Sequence, residues 1–186
     1  LGEKRMNSRK DVEIRPACEK DLDDIENLYN DLNDYLAKPG QKNYPRWKKG
    51  AYPVREQAEE GLRNGQLYVA VLEKTVVGTV ICLPKQEAAY QTVKWQIPME
   101  APVLVIHVLA VHPDYFGYGV GAALLQYAED LANRQNRRAV RLDTYQDNLP
   151  AARLFEKCGF HFCGMVDLGL EEVYGLKWYR AYEKVL

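Results

Sequence analysis

Val103–Leu125 reads VLVIHVLAVHPDYFGYGVGAALL, and this stretch decides the fold. Its first nine residues, Val103–Val111, form a near-continuous apolar run broken only by His107. A run of that length and β-branched content predicts a strand buried on both faces, and therefore a central one. Pro113 ends it. Glycines at 117, 119 and 121 then lead into a predicted helix over 119–134, with Val120, Leu124, Tyr127, Ala128 and Leu131 on one stripe. Strand, turn, glycines and helix together describe an anion site. Glycine lets backbone N–H groups approach a ligand closely, and the start of the helix adds partial positive charge. A pyrophosphate can sit there without a basic side chain.

Outward from this stretch, the pattern predicts β-α-α-β-β-β-α-β-α-β-β. A strand over 12–16 precedes a helix in which Leu22, Ile25, Leu28, Tyr29, Leu32, Tyr35 and Leu36 recur at helical spacing. Glu19, Asp21, Asp23 and Asp24 gather at its start, where negative charge favours the helix dipole, and Pro39-Gly40 stops it. Residues 39–53 form a loop, and a second helix covers 54–63. Strands over 67–72 and 76–83 pair as a hairpin. Residues 84–100 form a long polar and aromatic loop, of the kind that is functional or mobile in compact domains. A strand over 139–144, a helix over 149–157 and strands over 160–168 and 174–185 complete the chain. The class is α/β: a mixed central β-sheet with helices on both faces.

The chain has 186 residues, which suits one domain. Its 25 basic and 26 acidic side chains leave a net charge of −1, so neither a nucleic acid nor a membrane surface is an expected partner. No apolar run reaches the length of a membrane span, and the N-terminus has no apolar core of a signal peptide. Residues 1–9 are read as an N-terminal tail or tag remnant. Cys18, Cys82, Cys158 and Cys163 form no CxxC pair and no zinc spacing, so reduced thiols, a cytoplasmic location and no metal are expected.

Two ligand classes use a glycine-rich helix start of this kind. Gly117-Tyr118-Gly119-Val120-Gly121-Ala122 fits the dinucleotide fingerprint, with Asp143 near the distance expected of a ribose-binding acid. Against that reading, His112–Phe116 separate the strand from the first glycine. The second class is coenzyme A. LAVHPDYFGYGVGAALL resembles motif A of the GNAT superfamily of acetyl-CoA-dependent N-acetyltransferases. RLDTYQDNLPAARLFEKCGF, residues 141–160, is similar to the family's motif B. The resemblance covers roughly 12–186 and makes residues 10–186 a single N-acetyltransferase domain.

The resemblance implies a GNAT-like fold in which acetyl-CoA binds where the fourth and fifth strands splay apart. Leu109, Ala110 and Val111 would bond the pantetheine through their backbones. Gly117, Tyr118, Gly119, Val120, Gly121 and Ala122 would hold the pyrophosphate. Asn148 would hydrogen-bond the cofactor arm, and Phe155 would pack on it. The Leu109 N–H would donate to the thioester oxygen, where a fixed donor stabilises the tetrahedral intermediate. The acceptor is expected to be a primary amine of a small molecule or peptide. Such an amine is mostly protonated near neutrality, so a general base is useful. His107 is the candidate: it lies two residues before Leu109 on the same strand face, and arylalkylamine acetyltransferases are similar in this register. A core histidine bonded to neighbouring backbone is the alternative. His112 is expected to cap the turn.

Two departures from the family stand out. Phe116 occupies the Gln/Arg position at the head of motif A, and Phe155 occupies the position of the usual general-acid tyrosine. The chain has 13 Tyr and only 4 Phe, so a missing hydroxyl at 155 leaves open a catalytically impaired acetyl-CoA-binding module or sensor. A water, Tyr145 and Cys158 are the candidates to replace that acid. Trp47, Tyr52, Tyr90 and Trp95 are candidates to line the acceptor side. A homodimer is a possible assembly.

Overall fold

A computed structural model describes residues 12–186, so the expected tail at 1–9 lies outside the described residues. The elements run in the order β1 (Glu13–Pro16), α1 (Leu22–Leu36), α2 (Arg55–Arg63), β2 (Leu67–Leu72), β3 (Thr75–Leu83), β4 (Val103–Val111), α3 (Val120–Arg134), β5 (Ala139–Tyr145), α4 (Leu149–Lys157), β6 (His161–Asp167), α5 (Glu171–Tyr174) and β7 (Trp178–Val185). The seven strands form one mixed sheet in the order β1-β2-β3-β4-β5-β7-β6, with β4 fourth, as its apolar run requires. The sequence reading did not include α5. It extended the last strand back to Tyr174, whereas that strand begins at Trp178.

The described residues divide into two compact units: 12–43, 47–82 and 107–127 form one, and 44–46, 83–106 and 128–186 form the other. In the first, β1 and β3 flank β2, both antiparallel to it. The β2–β3 turn places Glu73 and Lys74 at φ 48° and 67°. Two successive left-handed residues match the twist of a tight hairpin. Helix α1 buries Ile25, Leu28, Tyr29 and Leu32, the stripe its spacing predicts. Its approach is fixed by Arg15, which donates two hydrogen bonds of 2.8 Å to Asp21. That guanidinium holds the Asp21 carboxyl down at about 2.

Gly78 sets how closely α3 lies on β3. A Cβ there would stand 2.8 Å from Val120 Cγ1 and 3.2 Å from the Ala110 carbonyl oxygen. Only glycine admits the start of α3 so near the sheet.

In the second unit, β4 pairs in parallel with β5 through Val103↔Ala139, Leu104↔Val140 and Val105↔Arg141. Strand β7 lies antiparallel to both β5 and β6. The 84–100 loop is built into this unit. Tyr90 is 0% exposed and packs with Ala101, Val103, Val105 and Ala139. Arg141 and Glu183, both fully buried, join at 2.7 Å. Arg141 also donates to Gln86 Oε1 at 2.7 Å and to the Ile97 and Pro98 carbonyls at 3.0 and 3.2 Å. Its guanidinium carbon lies 4.3 Å from the centroid of the Trp95 ring. The Gln96 N–H donates to Glu183 Oε1 at 2.7 Å.

Candidate acetyl-transfer site

The site is built on the second half of β4. Val108 has φ 46°, a left-handed conformation costly for a β-branched residue. It falls between His107 and Leu109, and from there the strand alternates: His107, Leu109 and Val111 are half-buried, while Val108 and Ala110 are buried. Nothing in a valine announces this kink, and the sequence reading missed it. The His107 ring is half-buried, and no side chain or backbone group among the described residues hydrogen-bonds it.

Beyond Val111 the chain turns. The His112 N–H donates to the Val77 carbonyl at 2.9 Å, which holds the turn to β3. His112 Nδ1 accepts the Asp114 N–H at 3.1 Å. The other ring nitrogen therefore carries the proton and donates to Asp31 Oδ2 at 2.9 Å. His112 is thus the cap expected of it. Phe116 is 45% exposed and meets Tyr35 edge-on, 5.4 Å between ring centroids. Where the family carries a polar Gln or Arg, this chain has an aromatic ring anchored on α1.

Gly117 and Gly119 sit at φ 81° and 80°, a backbone only glycine adopts without strain. The Tyr118 N–H is occupied, donating to the Tyr115 carbonyl at 3.2 Å. The first bond of α3 runs from the Ala123 N–H to the Gly119 carbonyl at 3.0 Å. The N–H groups of Val120, Gly121 and Ala122 therefore have no partner inside the helix. No acidic residue stands in the first turn to repel an anion. A diphosphate fits this chemistry, and the missing basic side chain at 116 leaves the backbone donors intact.

In the other unit, Asn148 caps α4. Its Oδ1 accepts the Ala151 N–H at 3.4 Å, and its Nδ2 donates to Thr144 Oγ1 at 2.9 Å. One Nδ2 hydrogen and one Oδ1 lone pair stay available. Phe155 is 4% exposed, its ring 5.5 Å from Tyr182 and 6.2 Å from Phe160. The Tyr145 hydroxyl donates to Asp147 Oδ2 at 3.3 Å, and burial, then Asp147, raise its pKa. Asp143 accepts the Tyr90 hydroxyl at 2.5 Å. Burial and that carboxylate hold the Tyr90 pKa well above its usual value. Tyr90 and Trp95 thus anchor the loop that carries them, and Tyr90 is sealed from any ligand. The sequence reading offered both as acceptor-lining residues; Tyr90 is fully buried beside Asp143, whereas Trp95 is half-buried.

The model of the acetyltransferase (GNAT) family matches residues 24–160. The chain belongs to that family. An uncharacterized N-acetyltransferase of Archaeoglobus fulgidus is 29% identical over 150 residues, 77% of this chain and 89% of the relative. Among solved structures, a GNAT-family acetyltransferase of Streptococcus agalactiae superposes with a TM-score of 0.76 at 23% identity, covering 94% of this chain and 95% of that one. A structure described as the NatC complex bound to Gag peptide and CoA superposes at 0.66 and 18% identity, covering 95% and 99%. At such identities the two structures speak for a shared fold. Family and fold together make this GNAT-type protein an acetyltransferase. No helix among the described residues is long and apolar enough to cross a membrane.

Proposed function

We propose that this protein transfers an acetyl group from acetyl-CoA to a primary amine of a small molecule or peptide, by direct attack on the thioester. The observation that carries the reading is the start of α3. Its N–H groups, unpartnered within the helix, follow two left-handed glycines, with no acidic residue in the first turn. Acetyl-CoA supplies the activated acetyl group and a thiolate leaving group.

The chain's own residues do the rest. Gly119, Val120, Gly121 and Ala122 bind the diphosphate by backbone N–H groups. Leu109, Ala110 and Val111 offer strand-like bonding to the pantetheine, and the spare Nδ2 hydrogen of Asn148 contacts the arm. The Leu109 N–H, set by the kink at Val108, donates to the thioester oxygen. His107, whose ring nitrogens are unengaged, takes the proton from the amine directly or through water. Phe155 brings no proton, and Tyr145 or Cys158 substitutes for it. Should that substitution fail, an acetyl-CoA-binding module without turnover remains as the second reading. The four unpaired cysteines fit a cytoplasmic setting.

Acetyl-CoA is expected to raise the melting temperature, whereas NAD leaves it unchanged; the reverse contradicts the site. His107→Ala is expected to lower turnover by ~10²-fold near neutral pH, within the usual range for a general base. The deficit should shrink as pH approaches the amine's own pKa of ~10, where the substrate needs no base. A loss of equal size at every pH assigns His107 a structural role.

A further inference from the structure

The start of α4 is poorer in free donors than the start of α3. The Leu149 N–H donates to the Asp147 carbonyl at 2.8 Å, and the Ala152 N–H to the Asn148 carbonyl at 3.1 Å. The Ala151 N–H goes to Asn148 Oδ1 at 3.4 Å, and Pro150 has no N–H to give. Every backbone donor of this first turn is therefore spent. What the end of the helix can still offer a ligand is carried by a side chain, the spare Nδ2 hydrogen of Asn148.

The aim of that hydrogen depends on how the carboxamide is held. The backbone beneath it is firm. The Asn148 N–H donates to the Tyr145 carbonyl at 2.9 Å, and the Gln146 N–H to the Trp178 carbonyl at 3.1 Å. Arg180 Nε closes the same turn onto the Gln146 carbonyl at 2.8 Å. The side chain has two ties of unequal quality. The cap bond to Ala151, at 3.4 Å, is longer than the roughly 2.7–3.2 Å of a good N–H···O bond. The bond from Nδ2 to Thr144 Oγ1, at 2.9 Å, has the optimal length. Thr144 is half-buried on β5, opposite Arg180 of β7. Its hydroxyl has no other hydrogen-bond partner among the described residues. A β-branched side chain is stiff about χ1, so the accepting oxygen is held in place.

We propose that Thr144 is a positioning residue for coenzyme A: it locks the Asn148 carboxamide so that the second Nδ2 hydrogen is presented to the cofactor arm. Thr144 acts through Asn148 and makes no contact of its own with the ligand. Without the hydroxyl the carboxamide keeps only the long cap bond, and binding must then order it. This inference rests on the reading of Asn148 as a contact to the arm.

The test is calorimetric titration of coenzyme A into the wild type and variants, with melting temperatures measured on the free proteins. Thr144→Val keeps the shape and removes the acceptor, and should weaken coenzyme A binding about fivefold, within the scale of one neutral hydrogen bond. Thr144→Ser keeps the oxygen and should bind within about twofold of the wild type. Asn148→Ser retains a capping oxygen and loses Nδ2. In that background Thr144→Val should cause no further loss, because two residues that act as one are not additive. Thr144→Val that melts earlier yet binds coenzyme A normally gives Thr144 a structural role and overturns the proposal. So does Thr144→Ser binding as weakly as Thr144→Val, or Asn148→Ser binding as tightly as the wild type. Losses that multiply in the double variant sink the positioning role alone and leave the acetyl-CoA reading standing. A wild type that does not bind coenzyme A sinks that reading, and the positioning role with it.

Discussion

The 84–100 loop and the 47–53 turn look alike in sequence, each carrying two aromatics, two lysines and at least one proline. Their anchoring differs in kind. The first is fastened by the fully buried Arg141–Glu183 pair, by backbone donors and acceptors aimed at both charges, and by Tyr90 against Asp143. The second has a neutral hydrogen bond from Asn33, another from Asn43 to the Trp47 carbonyl and an exposed Lys49–Asp34 ion pair, with no buried charge among them. A buried charge cannot release its partners without large cost, so the first loop is scaffold.

The largest expected effect comes from breaking the scaffold. Arg141→Met leaves Glu183 buried and unpaired and should cost about 3–5 kcal/mol in urea unfolding. Replacing Glu183 by Met as well should recover part of that, since the stranded charge is gone. Tyr90→Phe removes the hydroxyl from Asp143 and should cost ~1–3 kcal/mol by the same measurement.

The first unit has a paired carboxylate of its own, Asp21 held by Arg15. Asp21 is held below its ordinary value, so its contribution is fully present above the unfolded pKa near 4 and is lost as pH falls through about 2. Asp21→Asn should therefore destabilise by on the order of 1–2 kcal/mol near neutral pH, discounted for the partly exposed guanidinium, and by nothing in strong acid. The smallest effect is reserved for the turn. Lys49→Ala should change stability by less than ~1 kcal/mol. It should nevertheless speed proteolytic cutting at 47–53 while 84–100 stays resistant. Equal sensitivity of the two segments would erase the contrast between them.

Much of this was legible in the residues. The apolar run at Val103–Val111, the stripe of α3 and the Glu73-Lys74 turn carry their structures in local periodicity and turn chemistry. So does the cap at His112, because it is made within two residues. The anchoring of the 84–100 loop was not legible. Arg141 and Glu183 lie 42 positions apart, and an isolated charge in a strand does not declare its partner. Val108 is hidden for another reason: its left-handed backbone runs against the preference of its β-branched side chain. Gly78 did leave a signal, a glycine within an apolar strand, which marks close backbone approach. Phe155 was recognisable as a departure from the family, whereas its packing against Phe160 and Tyr182 emerged only from the fold.

The most direct test of the central claim is release of coenzyme A thiol from acetyl-CoA by the wild-type protein across a panel of primary amines, with the product weighed by mass spectrometry. The account predicts amine-dependent release matched by a mass gain of one acetyl group on the amine. Release that is indifferent to every amine, or tight acetyl-CoA binding with no release at all, would contradict it.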